Sequence, residues 1–194
     1  MIYYILLASG LSRRFRGENK LFYQVEGLPM YRRALSCACR VREELKAERE
    51  WDIQILVVTA YEEIAMEAEK ASAISIINED PEAGISRSVR LGVQAAAPGE
   101  EDWLLFSVCD QPWMKAGETK DMVIQTLCSG KGIGALSYGG EPGNPVLFRS
   151  SYYQELCELR GDRGGKSVLK NHLKDVILTE VSESRTLTDV DERP

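Results

Sequence analysis

The chain has 194 residues, 44% hydrophobic and 28% charged, with a formal net charge of −6 at pH 7. That length fits one domain, expected to span residues 1–194, and the composition is that of a folded globular chain, which excludes intrinsic disorder. The acidic balance without a basic stripe argues against nucleic acid as a partner, and no apolar stretch approaches the roughly 20 residues a membrane span needs.

Ile2 to Leu7 reads as a buried strand that breaks into the small-residue loop Ala8-Ser9-Gly10, followed by Arg13, Arg14, Arg16 and Lys20 with only Glu18 opposing them. Apolar positions at helical spacing predict a helix over Met30–Lys46, then a strand at Ile53–Val58, a helix over Tyr61–Lys70 and a short strand at Ile74–Ile77. A helix over Ser86–Ala96 leads to the strongly apolar strand Trp103–Val108, then a helix over Glu118–Leu127 and a strand at Ile133–Ser137. GGEPGN reads as a turn. Strand Val146–Phe148, helix Ser151–Leu159, the GDRGGK loop with a short helix to about Leu173, and strand Val176–Thr179 complete the pattern. Strands alternating with helices predict a three-layer α/β fold with a mostly parallel sheet, in which ligands bind beyond the carboxyl ends of the strands. The loops after Leu7, Ile77, Val108 and Ser137 are expected on one edge.

Neither a basic lead nor a long apolar segment opens the chain, so the expected compartment is the cytoplasm. Five cysteines without a CxxC pair favour neither a disulfide framework nor a zinc site and are expected as reduced, mostly buried thiols. His172 is the single histidine, expected at the surface; its isolation weakens readings that need an imidazole base or a histidine-rich metal site.

The first loop concentrates positive charge in an acidic protein, which fits an anionic ligand, although solvated arginines alone would look the same. Its backbone around Ser9, Gly10 and Leu11 can wrap a polyphosphate, while Arg14 and Lys20 supply charge; it is neither GxxxxGK[ST] nor GxGxxG. Asp110, in Val108-Cys109-Asp110-Gln111-Pro112, leaves the end of the most apolar strand. It can hold Mg²⁺ or simply form the turn before Pro112. Gly84-Ile85-Ser86-Arg87-Ser88 opens a helix, where a glycine and a serine cap and a polar ligand contact are compatible readings. Gly143-Asn144-Pro145 and Gly161–Lys166 are weaker signals of the same kind. Together they favour phosphate chemistry, because nucleotidyl transfer to an already ionised phosphate needs alignment, cations and metal more than a strong base.

In this order the motifs resemble those of the molybdenum cofactor cytidylyltransferases, within the MobA-like NTP transferases. LAAGxSxRMGxxK is similar to Leu7–Lys20, GDQP to Cys109–Pro112, G[LM]SxSLRxG to Gly84–Gly92, and G[HN]PVLF to Gly143–Phe148. A GDxGAR-like segment, Gly161–Lys166, and a DID-like tail, Asp189–Asp191, follow. The chain departs from the pattern at Ser9, Cys109 and Lys166 and carries one extra residue between Arg14 and Lys20. The resemblance implies a Rossmann-like nucleotidyltransferase sheet with at least one antiparallel strand. It implies transfer of CMP from CTP to the molybdopterin cofactor, with pyrophosphate released. It brings the backbone of Ala8, Ser9 and Gly10 to the nucleotide, Arg14 and Lys20 to the triphosphate, and Asp110 to Mg²⁺, with Asp191 as a second metal ligand. Ser86 and Ser88 would face cytosine and ribose; Asn144 and the Asp162–Lys166 loop would face the pterin. Two rivals stand beside this reading: a related transferase using another nucleotide or acceptor, and a non-catalytic carrier that hands the cofactor to a molybdenum hydroxylase.

Overall fold

The structure, a computed structural model, describes residues 1–12, 15, 19–49 and 51–191. Strand β1 (Ile2–Ala8) is followed by a hairpin, β2 (Gln24–Val25) and β3 (Leu28–Pro29), then α1 (Met30–Arg49), β4 (Ile53–Thr59), α2 (Glu62–Lys70) and β5 (Ile74–Ile77). Next come α3 (Ile85–Ala96), β6 (Trp103–Val108), α4 (Ala116–Ser129), β7 (Ile133–Tyr138) and β8 (Glu141–Arg149). The chain continues through α5 (Tyr153–Cys157), α6 (Gly165–Asn171) and β9 (Val176–Glu180).

Among the described residues the main sheet has seven strands in the order β5-β4-β1-β6-β8-β7-β9. β8 runs antiparallel to both its neighbours and the other six strands share one direction. The expected α/β architecture therefore stands, and the strands ending at Ala8, Ile77, Val108 and Tyr138 all open on the same edge.

Burial explains the three layers. Side chains of β1 alternate in direction, so Tyr4, Leu6 and Ala8 pack with α1, α2 and α4 on one face, while Ile5 packs with α3, α5 and α6 on the other. β4 and β6 are apolar nearly throughout because both their faces are covered. A third, smaller cluster of Phe15, Val25, Met30 and Val190 ties the first loop, the hairpin and the C-terminal tail together.

Several boundaries differ from the sequence reading. The GGEPGN segment is mostly strand: only Gly139 and Gly140, both at positive φ, form the turn, and Tyr138 pairs with Glu141. The Ser151–Leu159 helix is a 3₁₀ turn, Ser150–Tyr152, followed by the short α5. Lys166 lies in the first turn of α6 and not in a loop. The helix after Gly84 begins at Ile85, with Gly84 as its N-cap and Ser86 already inside it, so no serine caps it.

All five cysteines are free; Cys37 and Cys109 are buried, Cys39 and Cys157 half-buried and Cys128 exposed, so burial is less general than expected. His172 is half-buried and contacts Glu155 at 2.6 Å, which makes it a local structural partner. Among the described residues no helix is long and apolar enough to cross a membrane.

Gly92 sets how closely α3 approaches the sheet, since a Cβ there would stand 2.6 Å from Ile5 Cγ2 and 3.3 Å from Val58 Cγ2. Ile5 and Val58 are fully buried and cannot swing aside. Gly92→Ala is expected to destabilise by about 1–3 kcal/mol through overpacking. Thermal denaturation should then show a fall of about 2–4 °C per kcal/mol for a chain of this size.

Candidate active site

The strand ends on the shared edge frame two adjoining cavities. The first, about 370 Å³, is lined by Ser9, Gly10, Leu11, Ser12, Lys20, Gly84, Ser88, Cys109 and Asp110, among others. The second, about 310 Å³, is lined by Ser107, Asn144, Gly164, Gly165, Lys166 and Asp189. Both include Leu7, Ile85, Val108, Asp110 and Asp162. A larger cavity of about 570 Å³ opens between α1, Pro112–Gly117 and Glu183–Thr186 and contains none of the sequence-nominated residues.

The first loop is tied to its surroundings by Asn19. Its Nδ2 donates to Gly10 O at 3.0 Å and to Tyr61 Oη, and its Oδ1 accepts from Ser12 Oγ at 3.0 Å and from the Leu21 N–H at 2.9 Å. Tyr61 Oη also donates to Gly10 O, at 2.9 Å. This network closes the loop and starts the 3₁₀ turn Lys20–Phe22. Neither Asn19 nor Tyr61 was nominated by sequence; the available signal was an Asn directly before the lysine, in a capping position.

Lys20 Nζ lies 2.7 Å from Asp110 Oδ2 and 2.9 Å from Asp191 Oδ1. Burial alone would pull its ammonium down, and the two carboxylates more than offset this, so its pKa is raised. Asp110 Oδ1 is buried and has no partner among the described residues. Burial, followed by the adjacent Asp110 charge, pushes the Cys109 thiol up well above its ordinary range, which keeps it protonated and unsuited to nucleophilic chemistry.

The tail reaches the same place from the other side. Gln111 Nε2 donates to Leu187 O at 3.0 Å and to Asp189 Oδ1 at 2.7 Å, and the Val190 N–H donates to Asp110 O at 3.0 Å. Asp189 is exposed as a residue, yet its carboxyl is held against Gln111. Desolvation there, then the Asp110 charge, raises its pKa against the opposing pull of Gln111 and Lys166. Asp189 lines the second cavity, whereas Asp191, the tail residue nominated as a ligand, pairs with Lys20.

Across the first cavity, Gly84 meets the Gly161 turn. Its φ of +86° and the 2.5 Å that would separate a Cβ from Gly161 O both require glycine. The Ser86 N–H donates to Gly161 O at 3.1 Å, so this helix N-terminal group is already engaged. On the far side of Asp110, β7 pairs with β8 at Ala135–Val146 and again at Ser137–Pro142, which leaves Gly143, Asn144 and Pro145 in a bulge. A bulge of this kind turns residues out of the ladder, and Asn144 faces the second cavity from it.

Of the nominated residues, Ser9, Gly10, Lys20, Ser88, Asp110, Asn144, Asp162 and Lys166 therefore line one cavity or both. Ala8 and Ser86 line neither: Ala8 is wholly buried with its carbonyl bonded to Thr59 Oγ1, and Ser86 is 2% exposed. Arg14 lies outside the described residues.

The fold recurs in known proteins. The MobA-like NTP transferase domain matches residues 4–176. The purine catabolism protein PucB of Bacillus subtilis (strain 168) is 25% identical over 198 residues, covering 96% of this chain and 90% of PucB. A nucleotidyl transferase from Methanothermobacter thermautotroptrophicus (Mth528) shares the fold with a TM-score of 0.79 at 18% identity, over 99% of this chain and 92% of its own. Rv0371c of Mycobacterium tuberculosis H37Rv, in its complex with manganese, gives 0.67 at 19% identity over 93% and 88%. CMP:2-keto-3-deoxy-manno-octonic acid synthetase complexed with CTP gives 0.68 at 12% identity over 98% and 93%. Because the domain match runs through β1 to β8 and so takes in the strands that frame both cavities, this chain belongs to the MobA-like NTP transferase family of nucleotidyltransferases.

Proposed function

We propose that this protein is a cytidylyltransferase that moves CMP from CTP to the terminal phosphate of the molybdopterin cofactor and releases pyrophosphate. The observation that carries the reading is the junction of two ligand-sized cavities at Asp110. A nucleotide in one and a phosphorylated acceptor in the other meet there.

On this reading the Ser9–Ser12 loop holds the triphosphate, and Arg14 and Lys20 supply positive charge to it. Ser88 lies on the nucleoside side, while Asn144, Asp162 and Lys166 hold the acceptor. The acceptor phosphate is mostly ionised near pH 7, its second pKa being about 6, so its oxygen attacks the α-phosphorus without a general base. One P–O bond forms as the bond to pyrophosphate breaks. Lys20, whose backbone N–H donates to Ser12 Oγ at 2.9 Å, lies at this junction and stays charged through the working pH range, its pKa being raised. The choice of CTP draws on Ala8-Ser9-Gly10, which is similar to the cytidylyl form of the loop, and on the fold shared with the CTP-bound synthetase. A molybdenum hydroxylase would be the recipient of the product, and the cytoplasm its place of work.

The side chains fit a divalent cation, Mg²⁺ on this reading. Among the described residues Asp110 Oδ1 is a buried acceptor that lacks a donor, and Asp189 faces the same junction, so Asp110 with Asp189 or Asp191 would hold the ion. Among the described residues no three His, Cys, Asp or Glu side chains form a cage by themselves, which suits an ion that binds through one or two carboxylates plus phosphate. When bound, it would supply charge neutralisation on the phosphates.

Incubation with CTP, MgCl₂ and molybdopterin cofactor should release pyrophosphate, and Asp110→Ala should slow that release by about 10²- to 10³-fold, the scale seen when one charge-stabilising group is removed. Absence of pyrophosphate, with Asp110→Ala indistinguishable from the parent, would refute the activity; pterin binding without any response to CTP would instead identify a carrier. In a thermal-shift panel of nucleotides, CTP at about 100 times its Kd should raise Tm by about 5–10 °C and the other triphosphates by less. Lys20→Ala should reduce that shift, since the triphosphate loses a cation.

A further inference from the structure

Asn78 follows β5, is 1% exposed, and has both ends of its amide engaged by the protein. Its Oδ1 accepts from Arg87 Nε at 3.0 Å and from the Asp80 N–H at 3.1 Å. Both partners can only donate, so the oxygen end of the amide is determined and the NH₂ end with it. That NH₂ donates to Ser88 Oγ at 3.1 Å. Ser88 Oγ therefore enters this bond as an acceptor.

A hydroxyl carries one proton. Neighbouring buried hydroxyls deliver theirs to the backbone, Ser9 to Val58 O at 3.1 Å and Thr59 to Ala8 O at 3.0 Å. Among the described residues no acceptor takes the Ser88 proton, and Ser88 lines the first cavity. Sequence analysis singled out Ser88 but had no reason to connect it with Asn78, ten residues earlier.

We infer that Asn78 is a positioning residue that presets the Ser88 hydroxyl as a donor into the nucleotide cavity, so that this wall selects a ligand atom able to accept. Pyrimidine carbonyl and ring-nitrogen atoms belong to that class, as do ribose oxygens. The inference rests on reading the first cavity as the nucleotide site.

Asn78→Asp tests it, because a carboxylate keeps both Oδ1 bonds but turns the donor toward Ser88 into an acceptor, which draws the hydroxyl proton away from the cavity. Titration calorimetry of the full chain with Mg²⁺ and either CTP or inorganic tripolyphosphate separates the nucleoside from the phosphates. Ser88→Ala should lower the ratio of CTP to tripolyphosphate affinity about 2- to 10-fold, the worth of one hydrogen bond. Asn78→Asp should lower the ratio at least as much, and should lower it no further in a Ser88→Ala background, since both act through one proton. A ratio unmoved by Asn78→Asp, or an Asn78→Asp loss that is unchanged in the Ser88→Ala background, would overturn the inference. If Asn78→Asp does not fold, an unchanged ratio in Ser88→Ala overturns it alone. Repeating the Ser88→Ala measurement with 2′,3′-dideoxy-CTP locates the acceptor on a ribose hydroxyl if the drop vanishes and on the base or the ribose ring oxygen if it persists. A parent chain that binds neither CTP nor tripolyphosphate fails the nucleotide reading itself, whereas normal CTP binding with indifferent variants fails only this inference.

Discussion

β1 and β6 are hydrogen-bonded neighbours running in the same direction, in register from Ile2 beside Trp103 to Leu7 beside Val108. Because the ladder ends at the same height on both strands, the loop that leaves β1 and the loop that leaves β6 emerge side by side, and Lys20 and Asp110 come within 2.7 Å. Register is held by burial. Tyr4, Ile5, Leu6, Leu104 and Leu105 are all buried to within 1% of full enclosure, and a one-residue slip would turn each to the wrong face. At about 1.5–3 kcal/mol per buried large apolar side chain, the core outweighs the cost of crowding charged groups at the strand ends.

The second cavity has a different origin. β8 runs against β6 and pairs with it only from Trp103–Arg149 to Phe106–Val146, so Ser107 and Val108 have no β8 partner. The bulge at Gly143–Pro145 begins where that pairing stops. A gap opens between two strands that would otherwise touch, and Ser107, Val108, Asn144 and Val146 become its walls. Reversing one strand in a parallel sheet thus makes a pocket next to Asp110, and Gln111 closes the other side by holding Leu187 and Asp189.

Much of this was legible in the chain. β1, β4 and β6 are buried on both faces over most of their length, so their apolar runs are nearly continuous and their ends clear; Gly10, Asp110 and Gly84 mark loops on the site edge. GGEPGN misled because one proline and three glycines signal a turn, whereas the ladder tolerates them here by leaving Gly143–Pro145 outside its pairing. The β2–β3 hairpin was invisible since each strand has two residues, with only Glu26-Gly27 between them to announce a turn. Asn19, Asn78 and Gln111 were missed for another reason: each acts through its amide's bonds to segments remote in sequence or to backbone groups, and single-residue chemistry carries no trace of such partners. Ser86 and Ser88, two apart on one helix, looked equivalent; Ser86 is buried with its backbone N–H bonded to Gly161 O, and only Ser88 lines the cavity.

The charges at the junction bear on how the proposed ligands would enter. Among the described residues, Asp110, Asp189 and Asp191 converge there with Lys20 between Asp110 and Asp191 and Lys166 near Asp189. Desolvation first, and the Asp110 charge after it, raises the pKa of Asp189 at this junction. Among the described residues Lys20 pairs with Asp110 Oδ2, and Oδ1 stays without a donor. On the proposed reading Asp110 would hold a divalent cation arriving with the triphosphate, and Lys20, its backbone N–H held by Ser12 Oγ, would turn from its carboxylates toward the phosphates. On that reading the acidic tail, through Asp189 or Asp191, would help hold the metal-bound form of the donor.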